Sequence, residues 1–247
     1  MIPKITFLAA FFILALIIGC SVDKEADPVK TLHFSIAEEI PVPEPSGLDL
    51  TYDETDFWVV SDENSTVYLI NSWGREVKSF KVDGDGLEGI TVIDEERLAV
   101  VLERTREVLI IDTSGMELKR VKIDLTGELN SGLEGITYDP EEKIFYLLNE
   151  KKPRLLLTLN ENLVELRRDT LNFSKDVSGI YFDAAGKFLW ILSDESQMIF
   201  KTDLLGKPFD EFKIKISQPE GITLNKIRTR LYIVSDNTNS LYVYRLE

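Results

Sequence analysis

One short motif returns five times along the chain and limits what the rest of it can become. Ser46-Gly47-Leu48, Glu88-Gly89-Ile90, Glu134-Gly135-Ile136, Ser178-Gly179-Ile180 and Glu220-Gly221-Ile222 share a single pattern, with their glycines 42, 46, 44 and 42 residues apart. A period of this size belongs to propellers and solenoids. No Pro-, Gly- or Ser-rich linker interrupts residues 31–247, so the repeats lie in one domain.

The content of each unit chooses the propeller. After each glycine comes a short apolar or alternating run, then a turn carrying Asp53, Asp94, Asp139, Asp183 or Asn225. A second run follows (Phe57-Trp58-Val59-Val60 in the first unit), then a third (Val67-Tyr68-Leu69-Ile70) and a more polar fourth (residues 77–82). The runs are rich in β-branched and aromatic residues and bounded by turn formers, and no segment keeps a helical period over three turns. Four strands in about 44 residues is the arithmetic of a propeller blade. The fifth unit ends after its third strand at Glu247, while Leu32-His33-Phe34-Ser35-Ile36 precedes the first glycine as a spare strand. We therefore expect an all-β, five-bladed propeller in which the N-terminal strand completes the last blade and removes the open edge. Six blades are the alternative, but residues 31–43 are too few to build another.

Composition narrows function by exclusion. The 247 residues carry 43 acidic and 28 basic side chains, a formal net charge of −15. Such an acid surplus opposes nucleic-acid binding, because it adds to phosphate repulsion. One Cys excludes an internal disulfide or a Cys-rich zinc site, and one His excludes H-E-x-x-H chemistry.

The only cysteine sits at the end of a leader. A basic start (Met1 to Lys4) is followed by an apolar run from Ile5 to Ile18, then Gly19 and Cys20. The run is too short to span a bilayer comfortably and fits the core of a signal peptide. Ile17-Ile18-Gly19-Cys20 resembles the lipobox of bacterial lipoproteins. That resemblance implies cleavage after residue 19 and thioether lipidation and acylation of Cys20, with residues 20–30 as lipidated Cys and polar tether. An uncleaved anchor is the alternative, and either way the chain is held at a membrane. Ser21 rather than Asp after the cysteine favours, by resemblance to the bacterial sorting rule, the outer over the inner membrane of the cell envelope.

A lipoprotein with a propeller built on repeated E-G-I/L units resembles the SdiA-regulated (YjiK-like) family of bacterial envelope proteins. The carriers are Pro45-Ser46-Gly47-Leu48, Leu-Glu-Gly-Ile at 87–90 and 133–136, Pro219-Glu220-Gly221-Ile222, and the Ser-Asp turns at 61–62, 193–194 and 235–236. The resemblance implies location and fold and leaves the chemistry open.

Candidate chemistry lies where the innermost strands begin. Those positions are Ser46, Glu88, Glu134, Ser178 and Glu220; the turns between second and third strands open on the same face with Asp62, Glu103, Asn149, Asp194 and Asp236. Oxygen ligands without His or Cys suit a hard cation such as Ca²⁺, so Glu88, Glu134, Glu220, Asp62, Asp194 and Asp236 are candidate metal ligands. The competing reading is structural, since Asp in a tight turn accepts hydrogen bonds from its own backbone and repetition follows from duplication alone. The glycines are read as sites of close backbone approach. No G-x-S-x-G, P-loop or dinucleotide fingerprint occurs, and His33 falls in the closing strand. We therefore expect a monomeric binding module that presents an acidic face to a protein, peptide or cationic ligand. The alternative is a Ca²⁺-dependent hydrolase of lactones or phosphate esters.

Overall fold

A computed structural model describes residues 31–128 and 131–247. It contains twenty β-strands in five four-stranded antiparallel sheets. Blade one comprises β2 (Pro45–Leu50), β3 (Asp56–Ser61), β4 (Thr66–Asn71) and β5 (Glu76–Lys81). Blade two comprises β6 (Leu87–Val92), β7 (Arg97–Leu102), β8 (Glu107–Asp112) and β9 (Glu117–Lys122). Blade three comprises β10 (Leu133–Asp139), β11 (Ile144–Asn149), β12 (Leu155–Asn160) and β13 (Glu165–Thr170). Blade four comprises β14 (Gly179–Asp183), β15 (Phe188–Ser193), β16 (Met198–Thr202) and β17 (Pro208–Lys213). Blade five comprises β18 (Pro219–Leu224), β19 (Arg230–Ser235) and β20 (Ser240–Leu246), and its fourth place is taken by β1 (Leu32–Glu39), the spare strand. The closing register runs from Leu32 opposite Leu246 to Glu39 opposite Ser240, and Thr31 and Glu247 exchange backbone hydrogen bonds of 2.9 and 3.2 Å.

Burial follows position in the blade. Second and third strands are almost wholly buried, as in β7 and β15, whereas the outermost strands face water on most of their length. Their apolar side chains form five clusters between neighbouring blades, including Trp58 with Leu98 and Leu109, and Trp190 with Ile222 and Ile233. Both tryptophans therefore pack between blades, while Trp73, in a turn, is exposed.

The repeat glycines set how closely the blades converge. A Cβ on Gly47 would lie 2.3 Å from the carbonyl oxygen of Glu88, and one on Gly221 would lie 2.8 Å from the Cα of Gly47. No other residue fits where adjacent inner strands meet so tightly. The same segment carries a local irregularity. Pairing shifts register between Pro45 and Gly47, Leu87 and Ile90, Leu133 and Ile136, and Pro219 and Gly221. The residue before each of these glycines is thus left out of the ladder, in a bulge that redirects its side chain.

Candidate functional site

The bulges aim Glu88, Glu134 and Glu220 into one mouth of the central channel. With Ser46, Asp62, Glu150 and Asp236 they line a cavity of about 160 Å³. Asp62 and Asp236 come from the β3–β4 and β19–β20 turns, and Glu150 follows β11. Six carboxylates from four blades therefore surround a space of a few water molecules. Below them the glycine layer pinches the channel to about 10 Å³, room for about one water. The mouth is closed at its floor to anything larger.

Within this ring the charge is concentrated in one sector. Carboxylate oxygens of Glu103, Glu134 and Glu150 lie within 4.8 Å of one another. Glu103 is buried, its Oε1 accepting a hydrogen bond of 3.3 Å from the Gly132 backbone N–H. Lys151 pairs with this sector from its edge, 2.5 Å from Glu150 Oε1 and 2.9 Å from Glu195 Oε1. Burial pulls its ammonium pKa down, but the two carboxylates more than offset this and the pKa is raised.

Crowding makes ionisation costly across the ring. Burial first, and then Asp62, Glu103 and Asp236, push Glu88 up to about 8, while the Ser46 hydroxyl works in the opposite direction. Glu134 is raised well above the ordinary glutamate range by burial and by Glu88, Glu150, Glu220 and Glu103. Glu220 is likewise raised, by burial and then by Glu88 and Asp194. Asp62, Glu103, Glu150, Asp194 and Asp236 are all raised, with burial the largest cause in each. Like charges held together in a partly dry site disfavour their ionised forms, and a cation or protons would relieve them.

Five of the six metal candidates, Glu88, Glu134, Glu220, Asp62 and Asp236, meet at this cavity. Asp194 does not line it: its Oδ1 accepts from Gln197 Nε2 at 3.2 Å, and it adds to the negative field felt by Glu220. Cys20 lies outside the described residues. The two serines of the repeat also tie the scaffold together. Ser178 Oγ donates to the Pro219 carbonyl at 2.8 Å, bridging blades four and five, and Ser46 Oγ accepts from the Asp62 N–H at 3.2 Å.

Three acids escaped the repeat alignment. In blade three the aligned position falls on Asn149, whose Nδ2 donates to the carbonyls of Lys151 (3.1 Å) and Pro153 (2.7 Å) and closes the turn. The carboxylate at the mouth is its neighbour Glu150, and the two extra residues in that unit were the signal of the offset. Glu44 and Asp176 each stand two positions before a repeat serine. Glu44 hydrogen-bonds Asp62, and the buried Asp176 adds its charge to the surroundings of Glu150, Glu220 and Asp194. The blades that begin with Ser-Gly thus bring an acid from upstream where the others have a bulged glutamate.

Fold and site together define a five-bladed propeller with one carboxylate-lined mouth. The chain belongs to the SdiA-regulated family, whose profile matches residues 33–245. Among solved structures it is similar to the glutaminyl cyclase of Myxococcus xanthus, with 13% identity and a TM-score of 0.70 over 90% of this chain and 99% of that one. It is also similar to the β-propeller domain of Myceliophteria thermophila Cps50 (Swd1), with 13% identity and a TM-score of 0.51 over 81% of this chain. The match spans 65% of that domain's length. At these identities both likenesses concern the fold.

Proposed function

We propose that this protein is a lipid-anchored propeller of the bacterial cell envelope, acting as a binding module whose acidic mouth takes a hard cation. Six carboxylates around one small cavity carry this reading, because their raised pKa values mark an electrostatic cost that a divalent oxygen-seeking ion offsets. Ca²⁺ is the expected ion, held by Glu134 and Glu150 with Glu103 behind them, and a basic peptide or protein surface is the expected larger partner. Calorimetric titration of the full chain in detergent with Ca²⁺ tests it. We expect saturable binding that weakens at least about tenfold in Glu134→Gln, the effect of losing one charged ligand. Absence of heat, or an unchanged affinity in both Glu134→Gln and Glu88→Gln, defeats the reading.

Anchoring rests on Cys20. The attachment proposed is through acyl chains on that residue, which supply more than the two signals that stable anchoring needs. Cys20→Ser is expected to move the protein from the outer-membrane fraction, where we place it, to the soluble one. Retention in the membrane fraction would mean an uncleaved leader.

One observation favours a second reading. A glutamate titrating at about 8 beside a cation site has the properties of a general base, so Glu88 could activate water for hydrolysis of a lactone or phosphate ester. Turnover of such substrates that needs Ca²⁺ and disappears in Glu88→Gln would establish it. Absence of turnover with either substrate class leaves the binding module standing alone.

A further inference from the structure

The opposite mouth of the channel has a different chemistry, and the glycine waist separates it from the acidic one. Strand alternation turns the residues two beyond each repeat glycine, namely Asp49, Thr91, Thr137, Tyr181 and Thr223, to the same face as the glycine, and the strand's rise places them about 7 Å further on, past that waist. Four of them, all but Thr223, line a second cavity of about 140 Å³, to which every blade contributes.

Its polar floor is partly spoken for. The half-buried Asp49 carboxylate accepts from Thr223 Oγ1 (2.8 Å), Thr91 Oγ1 (3.1 Å), and the backbone N–H groups of Val92 and Leu50 (2.9 Å each). Four donors saturate a carboxylate, so Asp49 has nothing left for a ligand. Thr137 Oγ1 accepts from the Phe182 N–H at 3.0 Å and keeps its own proton to give. Tyr138 and Tyr181 line the same cavity and bring two phenol hydroxyls to it. The groups left for recognition are therefore neutral hydroxyls set among aromatic walls.

Charge at the rim selects further. Lys226, on the cavity wall, holds its Nζ 5.0 Å over the Tyr52 ring, and Lys187 Nζ stands 5.6 Å over the Phe182 ring, so two of the aromatic faces that would draw an organic cation already hold one. Asp49 at the floor and Glu54 on the wall repel an anion. The volume admits roughly ten water-sized groups, about one saturated ring with its substituents. A neutral ring with an apolar face for tyrosine and hydroxyls for tyrosine and threonine meets all three conditions.

We propose that this mouth binds one pyranose ring of a neutral saccharide, with Tyr138, Tyr181 and Thr137 as its hydrogen-bonding residues. The test is titration of the full chain in detergent, followed by ligand-observed NMR, with methyl glucoside, its linear tetrasaccharide, choline and gluconate. Methyl glucoside is expected to bind, and Tyr181→Phe to weaken it about tenfold, the worth of one hydrogen bond. Tighter binding of the tetrasaccharide than of the single ring identifies a glycan chain as the source, and equal binding identifies a free sugar. Glu134→Gln, at the other mouth, should leave saccharide binding unchanged and so separates this site from the cation site. The proposal is overturned if neither saccharide binds, if choline or gluconate binds better, if Tyr138→Phe and Tyr181→Phe both leave the affinity intact, or if Glu134→Gln abolishes it.

Discussion

Asp49 is the side chain on which three blades meet. It stands on blade one, and two of its donors come from blade two (Thr91, Val92) and one from blade five (Thr223). Burial raises its pKa, and those hydrogen bonds hold it down against that tendency. Removing the carboxylate would strand two buried hydroxyls and two backbone N–H groups, so Asp49→Ala should cost about 3 kcal/mol or more, measured by chemical denaturation. Asp49→Asn keeps the volume but turns half of the acceptor into a donor facing a hydroxyl, and should recover only part of that loss. Nothing in the sequence sets Asp49 apart, because its partners lie 42, 43 and 174 residues away. The bulged glutamates are a contrasting case. A Glu in front of a Gly at three corresponding positions was visible as a pattern, and the physical reason, a residue ejected from the ladder, appears only once the register is known.

At the level of the strand, alternation and turn chemistry made nearly every element legible. Short β-branched runs between Asp- or Asn-bearing turns fixed the strands, and the spare strand at 32–36 announced how the ring closes. What escaped was a matter of small offsets. Two added residues in blade three moved the acid from the aligned position to Glu150, since a turn can absorb an insertion without disturbing either strand. The glycine layer yields a direct test. Gly221→Ala would put a methyl 2.8 Å from the Gly47 Cα at the join of blades five and one. Neither backbone can retreat, so a loss of about 1–3 kcal/mol is expected in thermal or urea unfolding. Deleting β1 should be worse than any point change. It would expose the unpaired edge of β20 along seven register pairs, and soluble aggregates should appear in size-exclusion chromatography.

For the molecule as a whole, the mouth carboxylates reverse the usual sign of acid effects. A carboxyl whose folded pKa lies above its unfolded value contributes stability in full below the unfolded value, and loses it as pH rises through the folded one. Glu88, raised to about 8, and the strongly raised Glu134 and Glu220 all belong to this class. Exposed Asp53, Asp112 and Glu117 are lowered by their hydrogen bonds and act the other way, but only below the ordinary carboxyl range. With a chelator present, the melting temperature should therefore fall between about pH 5 and pH 8. Added Ca²⁺ should restore it most at the alkaline end, where the ring is ionised. A melting temperature that rises with pH over this interval in chelator would contradict the arrangement described.

The strand pair that closes the ring joins Leu32 to Leu246, two points separated by almost the whole domain. Blades one to four are built from neighbours in sequence, and each can assemble as soon as its own segment is available. Blade five must wait for both ends, and such distant pairings form slowly. Glu220 and Asp236 belong to that blade, so the acidic mouth is complete only in a finished circle. A chain whose ends have not yet met therefore carries an incomplete ring of carboxylates, and the mouth takes its final charge and shape only when the circle shuts.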